Sequence, residues 1–350
     1  MAILNLALLN FRNLAAKKMT FGEDLTVIVG PNGSGKSNIL EACGLLAGLR
    51  ASRIETDLDL VKFGKSEAKV ESKVKSQSEE KVLTINFVVI DELYVKKAYF
   101  VDGIKKRLSD FVANFSIIIF SPPDLDLVSD SPQLRRHHLD SFLSSLDRNY
   151  HRSVSAYGKI VSRRNRILQR IAEGSAKPME LDFWDGRLLA HAKFITQKRE
   201  EFFEFLNFIE SALPGGQKGE LKWLLNQSQI TQEKLLKNRE RDIAAGMTLS
   251  GPQRDDFRFV YKGRDLAYFG SRGEQRMATL ALKLAELEYV QVKIGERPIL
   301  ALDDIFSELD WEHREAVLSV VGKQQTIITA AEGESVPKQL LKGAQIVHLS

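Results

Sequence analysis

Cysteine is nearly absent from this chain, since Cys43 is the only one among 350 residues. A single cysteine excludes an intrachain disulfide and a metal cluster with cysteine ligands, and it is typical of a reducing compartment. Apolar runs of the roughly 20 residues that cross a bilayer are also missing. The apolar N-terminus, Met1 to Asn10, lacks the basic start and cleavage site of a signal peptide and predicts a first strand. We therefore expect a cytoplasmic protein.

The composition shows no extreme that would point away from a globular fold. Hydrophobic residues make up 43% and charged residues 27%, which excludes wholesale disorder and fibrous repeats. The net charge of +4 would give only a weak field if it were evenly spread. It is not evenly spread, because residues 131–172 hold nine basic and two acidic residues, a net +7 that leaves −3 elsewhere. Eight of those nine basic residues are arginine, which suits phosphate contacts.

The hydrophobic pattern divides the chain into three parts. A length of 350 residues exceeds one ordinary core, so we expect two domains or one domain with an insertion. Strand-like patterns fill the first third, helical periodicity follows, and strands and helices alternate again near the end. This order predicts one α/β domain interrupted by a helical insertion, with parts at 1–128, 129–246 and 247–350. Helices are predicted at 38–46, at 139–171 as one helix or two in line, and at 185–213, 231–245 and 273–290.

A phosphate-binding loop is the most specific motif. The run Gly30-Pro31-Asn32-Gly33-Ser34-Gly35-Lys36-Ser37 fits G-x-x-x-x-G-K-[ST], and it stands between a predicted strand at 25–29 and a predicted helix. Its glycines let backbone N–H groups surround a phosphate, while Lys36 brings a charge to the β and γ oxygens. The hydroxyl of Ser37 is a ligand for Mg²⁺. The sequence therefore predicts a site for a nucleoside triphosphate and Mg²⁺.

Two carboxylates follow a short apolar run near the C-terminus. The run Ile299-Leu300-Ala301-Leu302 predicts a buried strand that ends in Asp303 and Asp304. Asp303 is predicted to hold Mg²⁺ or its water shell. Asp304 is predicted to orient or deprotonate the water that attacks the terminal phosphate.

Two segments compete for the signature that ABC-type ATPases direct at the ATP of a partner subunit. Such a signature presents a serine and a helix N-terminus to the γ-phosphate, so it must open a helix. The run Leu249–Gln253 looks closer to the signature in its letters, but a strand-like alternation follows it. Strong helix formers follow Ser271–Gln275 instead, so this second segment is the predicted signature, with Ser271, Gly273 and Gln275 as its functional residues.

Together these motifs resemble the RecF family of bacterial recombination mediators, ABC-type ATPases related to the heads of SMC proteins. The resemblance covers nearly the whole chain and includes further segments at 10–13, 120–128, 135–140, 251–256 and 305–310. It implies an α/β P-loop fold, an SMC-like head with an inserted helical arm. It also implies an ATP-switched homodimer that binds DNA at gaps or junctions. With RecR and RecO, such a protein promotes loading of RecA onto strands coated by single-strand-binding protein.

The resemblance also assigns roles to individual residues. It places Arg12 and Asn13 beside the nucleotide and makes Ser307 to Asp310 a loop at the dimer interface. The chain differs from transporter ATPases in two ways. Asp304 stands where they usually have glutamate, and residues 325–331 contain no switch histidine. Both differences indicate slow hydrolysis, a timer and not a motor.

The basic segment carries the predicted DNA contacts. These are Arg135, Arg136, Arg148, Arg152, Arg163 and Arg164. A solvated helix face whose arginines pair with acids elsewhere, or a docking site for a partner protein, explains the same residues. Basic residues do not alternate with aromatic ones in this segment, so base stacking is not supported.

Other functions remain open at this point. A transporter ATPase subunit would carry a switch histidine, which is absent. A different SMC-like ATPase of DNA metabolism or defence would need a longer coiled coil than the insertion allows. A scaffold that binds ATP without hydrolysing it would show no turnover with or without DNA.

Overall fold

The computed structural model describes residues 1–51, 56–209, 220–307 and 311–349. The strands are β1 Ala2–Ile3, β2 Asn5–Phe11, β3 Leu14–Thr20, β4 Leu25–Val29, β5 Glu67–Ser76, β6 Glu79–Ile90, β7 Tyr94–Val101, β8 Ile104–Lys106, β9 Ile117–Phe120, β10 Leu221–Asn226, β11 Asp256–Tyr261, β12 Arg264–Asp265, β13 Ile299–Asp303, β14 Thr326–Ala330 and β15 Gln345–His348. The helices are α1 Lys36–Leu46, α2 Leu108–Phe111, α3 Pro132–Leu146, α4 Arg148–Ala172, α5 Asp182–Ile209, α6 Gln232–Lys237, α7 Arg239–Ala245, α8 Leu266–Phe269, α9 Arg272–Ile294, α10 Trp311–Leu318 and α11 Lys338–Leu341.

A five-stranded parallel sheet forms the middle layer, in the order β15-β4-β14-β13-β9. Its strands β4, β9, β13 and β14 are buried on both faces, which explains why they read as continuous apolar runs in the sequence, whereas the edge strand β15 is partly exposed. The predicted strands at 25–29, 117–120, 299–302 and 326–329 are therefore confirmed. Parallel strands end at the same edge of a sheet, so the loop after β4 and the carboxylates after β13 come together there.

The two faces of this sheet belong to two separate cores. Along β13, Ile299 and Ala301 pack with α1 and the N-terminal strands, whereas Leu300 and Leu302 pack with α9 and the insertion. This alternation follows from the two-residue period of a strand. The molecule thus has an antiparallel sheet and α1 on one side of the middle layer and helices on the other.

The N-terminal antiparallel sheet runs β3-β2-β5-β6-β7-β8, and β1 pairs with β5. The sequence signal at Asp102-Gly103 forms the hairpin turn between β7 and β8. Both turn residues have positive φ, +50° and +76°, as a two-residue hairpin requires.

The predicted helical stretch at 139–171 is two helices, α3 and α4. Asp147 separates them with an extended backbone, and its carboxylate accepts the N–H of Asn149 at 2.7 Å as the cap of α4. The stretch predicted at 231–245 likewise divides, at Asn238, into α6 and α7. The end of the helix predicted to reach 213 lies outside the described residues.

The insertion also contains a strand that the sequence prediction missed. This strand, β10, pairs in antiparallel register with β11, so that Trp223 lies opposite Phe259. The sheet therefore crosses the predicted boundary at 246 and joins the insertion to the C-terminal part. No helix within the described residues is long and apolar enough to cross a membrane.

Candidate functional site

The loop from Gly30 to Ser37 joins β4 to α1 at the carboxyl edge of the middle sheet. Gly33 and Gly35 have φ of +83° and +99°, a region that favours glycine. A Cβ at Gly35 would lie 2.8 Å from Leu14 Cδ2, and one at Gly30 would lie 2.6 Å from the Leu349 carbonyl oxygen. The loop therefore keeps its curvature only with glycine at these positions.

Polar groups inside the loop suit a phosphate. The buried Lys36 ammonium donates to the carbonyls of Gly30 at 2.6 Å and Pro31 at 3.0 Å, which holds the charge at the loop. The hydroxyl of Ser34 is buried and has no hydrogen-bond partner among the described residues. The first turn of the 11-residue helix α1 adds unpaired N–H groups and the positive end of its dipole. These groups fit the triphosphate of ATP.

Ser37 and Asp303 meet although they lie 266 positions apart. The Ser37 hydroxyl donates to Asp303 Oδ1 at 2.9 Å, and the carboxylate is nearly buried. A hydroxyl and a carboxylate are the hard oxygen ligands that Mg²⁺ prefers, usually with phosphate and water completing the shell. These two residues are the ones that would hold Mg²⁺. The described part of the chain contains no group of three or more His, Cys, Asp or Glu side chains that could hold a metal ion.

Thr329 is a residue of the site that the sequence reasoning missed. It lies opposite Asp303 in the β13–β14 register, and its hydroxyl donates to the same Oδ1 at 2.8 Å. The N–H of Asp304 donates to the carbonyl of Thr329 at 3.1 Å and to its hydroxyl at 3.0 Å. The only sequence signal was a threonine at the end of a predicted neighbouring strand.

Asp304 has a left-handed backbone, with φ of +52°. This conformation is uncommon for a residue other than glycine and is frequent at functional sites. The chain therefore turns sharply at the strand end, where Asp304 is predicted to act on the attacking water.

The two residues predicted beside the nucleotide reach the loop differently. Asn13 donates to the carbonyl of Gly33 at 2.7 Å and accepts from Asn38 at 2.8 Å, so it lies against the loop. Arg12 makes a two-bond pair with Glu41 of α1, at 2.7 and 2.8 Å. Glu41, which the sequence reasoning did not assign, thus positions Arg12.

A helix of 23 residues, α9, begins at Arg272 with Ser271 as its N-cap, so the segment 271–275 opens a helix as predicted, one residue before the predicted start at 273. The Ser271 hydroxyl accepts the N–H of Glu274 at 3.3 Å, and the Glu274 carboxylate accepts the N–H of Ser271 at 2.7 Å. This second bond lowers the pKa of Glu274. Ser271 and Gly273 are exposed, and Gln275 donates to the Leu266 carbonyl at 2.8 Å.

The competing segment at 249–253 opens no α-helix, because a three-residue turn at Pro252–Arg254 leads directly into β11. Its loop is fixed to the insertion by the buried Arg199. This guanidinium donates to Asp255 at 2.6 Å, to the Pro252 carbonyl at 2.8 Å and to Asp140 at 2.8 Å. The loop is therefore a structural joint between the helices and β11.

The predicted dimer loop is described only in part. The hydroxyl of Ser307 donates to the Asp304 carbonyl at 2.6 Å, which connects the loop to the end of β13. Asp310 lies outside the described residues.

The structure contradicts the DNA-binding prediction for Arg135 and Arg164. Arg164 is fully buried and pairs with Asp185 at 2.8 Å and Asp242 at 2.7 Å. Arg135 is 8% exposed and makes a two-bond pair with Asp256, at 2.7 and 3.0 Å. Both guanidinium groups therefore form ion pairs inside the protein, with acids from other parts of the chain, and are not available to DNA.

Arg136 is half-buried, donates to the Asp255 carbonyl at 2.7 Å, and has its pKa lowered by burial.

The other predicted arginines share one exposed face of α4. Three further basic residues, which were not among the predicted DNA contacts, lie on the same face. Together the six residues follow one another at steps of three, four or seven along the helix. We call this face the α4 stripe, and its members are Arg148, Arg152, Lys159, Arg163, Arg166 and Arg170. It extends over about 33 Å of helix.

The chain is similar throughout to known proteins. The family model of the RecF/RecN/SMC N terminal domain matches residues 2–340. The DNA replication and repair protein RecF of Moorella thermoacetica is 37% identical, with 100% of this chain and 95% of the relative covered. The RecF protein of Halothermothrix orenii is 34% identical, with 92% of this chain and 90% of the relative covered.

Solved structures agree with the sequence relatives. The recombination mediator RecF-ATPrS of the RecFOR pathway superposes with a TM-score of 0.86 at 30% identity, covering 96% of this chain and 94% of that one. The structure of RecF-ATP of the same pathway superposes with a TM-score of 0.86 at 31% identity, covering 96% of this chain and 93% of that one. An Smc head bound to the C-winged helix domain of ScpA, at 18% identity and a TM-score of 0.52 over 99% and 93% of the two chains, shares the fold alone.

Proposed function

Because the chain belongs to the RecF family of DNA replication and repair proteins, we propose that ATP joins two copies of it into a dimer that binds DNA. The observation that carries the nucleotide-binding part of this proposal is the meeting of Ser37, Asp303 and Thr329 at the phosphate-binding loop. The fold, an ABC-type and SMC-like head, is that of the ATPase family. Two solved RecF structures, RecF-ATP and RecF-ATPrS, support ATP as the nucleotide.

Each residue of the site has a task in this proposal. The loop N–H groups and Lys36 bind the phosphates, and the carboxylate of Asp303 and the hydroxyl of Ser37 hold Mg²⁺, which supplies charge stabilisation when bound. Thr329 fixes the orientation of Asp303. Asp304 accepts the proton of the attacking water or orients that water.

A second copy completes the site. Ser271 and Gly273 are exposed at the start of α9 and do not line the cavity beside Ser37 and Asp303 in their own chain. The start of a long helix and a serine hydroxyl suit the terminal phosphate of ATP bound to a partner protomer. Ser307, next to Asp304, would lie at the same interface. Aspartate in place of glutamate at Asp304 favours slow turnover, so ATP acts as a timer.

DNA would lie along the α4 stripe. Its six exposed cations extend over about 33 Å, the length that roughly ten phosphates of one strand occupy. Five of them are arginines, which bind phosphate through two N–H groups. Two of these, Arg152 and Arg170, pair at the surface with Asp110 at 2.5 Å and Glu180 at 3.8 Å, so DNA phosphates would replace these carboxylates. We propose that gaps or junctions are the target and that the protein works in the cytoplasm with RecR, and through it RecO, RecA and single-strand-binding protein.

The test is an ATP titration followed by light scattering and duplex binding. The wild-type chain should change from monomer to dimer with ATP and Mg²⁺ and bind DNA more tightly as it does so. Lys36→Met should remain monomeric because it lacks the charge that holds the phosphates. A wild-type chain that stays monomeric at saturating ATP would contradict the proposal. Absence of ATP turnover with and without DNA would contradict the hydrolytic timer.

A further inference from the structure

A buried group of charges connects three elements outside the nucleotide site. Lys283 Nζ lies 3.0 Å from Asp124 Oδ1 and 3.7 Å from Glu286 Oε2, and His138 Nε2 lies 2.6 Å from Glu286 Oε1. Lys283 and Glu286 belong to α9, His138 to α3, and Asp124 to the turn after β9. We call these four residues the Lys283 cluster.

The charges of the cluster depend on one another. Lys283 is 5% exposed and Glu286 2% exposed. Burial alone would lower the pKa of Lys283, but the carboxylates of Asp124 and Glu286 raise it above its ordinary value. Burial alone would raise the pKa of Asp124 and of Glu286, but the Lys283 ammonium lowers both. The ammonium and the two carboxylates are therefore charged together.

Asp124, at one end of the cluster, lies beside the residues that would hold Mg²⁺, Ser37 and Asp303. Phe120 of β9 pairs with Leu302 of β13, so the residues that follow, Ser121 and Asp303, emerge at the same edge of the sheet. The N–H and hydroxyl of Ser121 both donate to Asp124 at 2.8 Å. The turn that holds Asp124 is thus adjacent to the end of β13.

A cavity of about 390 Å³ lies between the cluster and the nucleotide site. Ser37 and Asp303 border it, and so do all four residues of the cluster. A change in the position of the turn after β9 would therefore reach both the magnesium ligands and Lys283.

The other end of the cluster lies on the helix that begins at Ser271. Lys283 is twelve residues into α9, about 18 Å from its start. A helix transmits displacement along its length as a rigid element, so Lys283 is placed to move the exposed serine.

We propose that Lys283 is a positioning residue that couples the phosphate site to the orientation of Ser271 through the turn at Asp124. Nucleotide at Ser37 and Asp303 favours one position of this turn, and the ion pair sets α9 for contact with the partner protomer. This inference rests on the proposed ATP-dependent dimer. Replacing a buried ion pair by neutral residues of similar size often preserves stability, so stability alone does not explain the cluster.

The test is the double variant Asp124→Asn with Lys283→Met, which removes both members of the pair and leaves the buried Glu286 with His138, at 2.6 Å, as its partner. Lys293→Met is the matched control, since Lys293 lies on the same helix with its side chain 46% exposed. We expect the double variant to bind a fluorescent ATP analogue as a monomer within about twofold of wild type, and its ATP-dependent dimer to be weaker by about tenfold. Lys293→Met should dimerise like wild type, and Lys283→Arg, which keeps the charge, should dimerise more tightly than the double variant.

The outcomes separate the two proposals. A wild-type dimer together with an equally tight dimer of the double variant would overturn the role of Lys283 and leave the proposed function intact. A wild-type chain that remains monomeric with ATP contradicts the proposed function itself. If the double variant fails to fold, Asp124→Asn alone serves, because its amide keeps the side-chain shape; unchanged dimerisation would again overturn the inference.

Discussion

The hydroxyl of Thr329 and that of Ser37 both donate to one oxygen of Asp303, at 2.8 and 2.9 Å. Two donors on the same oxygen fix the plane of the carboxylate. Thr329 also accepts the N–H of Asp304 through its hydroxyl, at 3.0 Å. One side chain therefore orients both acidic residues that end β13.

Replacing Thr329 by valine should raise the Mg²⁺ concentration needed for half-maximal ATP hydrolysis and lower the rate, each by about tenfold. Valine has the same shape but cannot donate to Asp303, and loss of such an orienting partner typically costs 10- to 100-fold. Binding of ATP without Mg²⁺ should be nearly unchanged. Steady-state kinetics over a Mg²⁺ titration measure both effects.

Thr326→Val is the matched control. Thr326 is on the same strand, equally buried, and donates only to the Gln324 carbonyl, at 3.1 Å. It should lose about 1 kcal/mol of stability and keep its Mg²⁺ dependence. The same Mg²⁺ dependence in both variants would show that Thr329 acts only through stability.

The α4 stripe predicts a salt-dependent contact with DNA. Changing Arg163 and Arg166 to glutamate should weaken duplex binding and reduce the slope of log K against log salt by about 2, one for each lost phosphate contact. Binding to a labelled duplex across a salt series measures the slope.

Lys193→Glu with Lys222→Glu provides the comparison, because both lysines are exposed and lie outside the stripe. This pair should lower affinity only slightly through net charge. Equal losses in the two double variants would place the DNA elsewhere on the protein.

Local signals in the sequence were sufficient for the parts of the site that depend on neighbouring residues. The loop at 30–37 predicts its own curvature through glycine, and Ser271 with Glu274 predicts the start of α9. The apolar runs predict four strands of the middle sheet because both faces of those strands are covered, whereas the partly exposed edge strand β15 was not predicted.

Contacts that depend on register or distant pairing could not be predicted. Thr329 meets Asp303 only because β13 and β14 pair in one particular register. Arg135 and Arg164 looked like surface cations, since their partners Asp256 and Asp242 are 121 and 78 positions away. The strand β10 was missed for the same reason, because its partner β11 lies beyond the helical segment.

Cys43 should behave as a packing residue. Its side chain is fully buried in α1, and burial raises the pKa of its thiol to about 12. The reactive thiolate is therefore scarce even near the pKa of a free thiol, about 8.5. A thiol reagent should label the native chain very slowly and the urea-unfolded chain completely. Rapid labelling of the native chain would show that α1 opens readily from its core.

The central claim, that two copies build one ATP site, is tested most directly by mixing two inactive variants. Ser271→Ala lacks the proposed signature hydroxyl and Asp304→Asn lacks the proposed catalytic carboxylate, so we expect each alone to hydrolyse ATP at least about tenfold more slowly. In an equimolar mixture, half of the dimers combine the two variants, and each mixed dimer has one site with both groups intact. The mixture should recover roughly a quarter of the wild-type rate. A mixture no faster than the mean of the two variants would contradict a site shared between protomers.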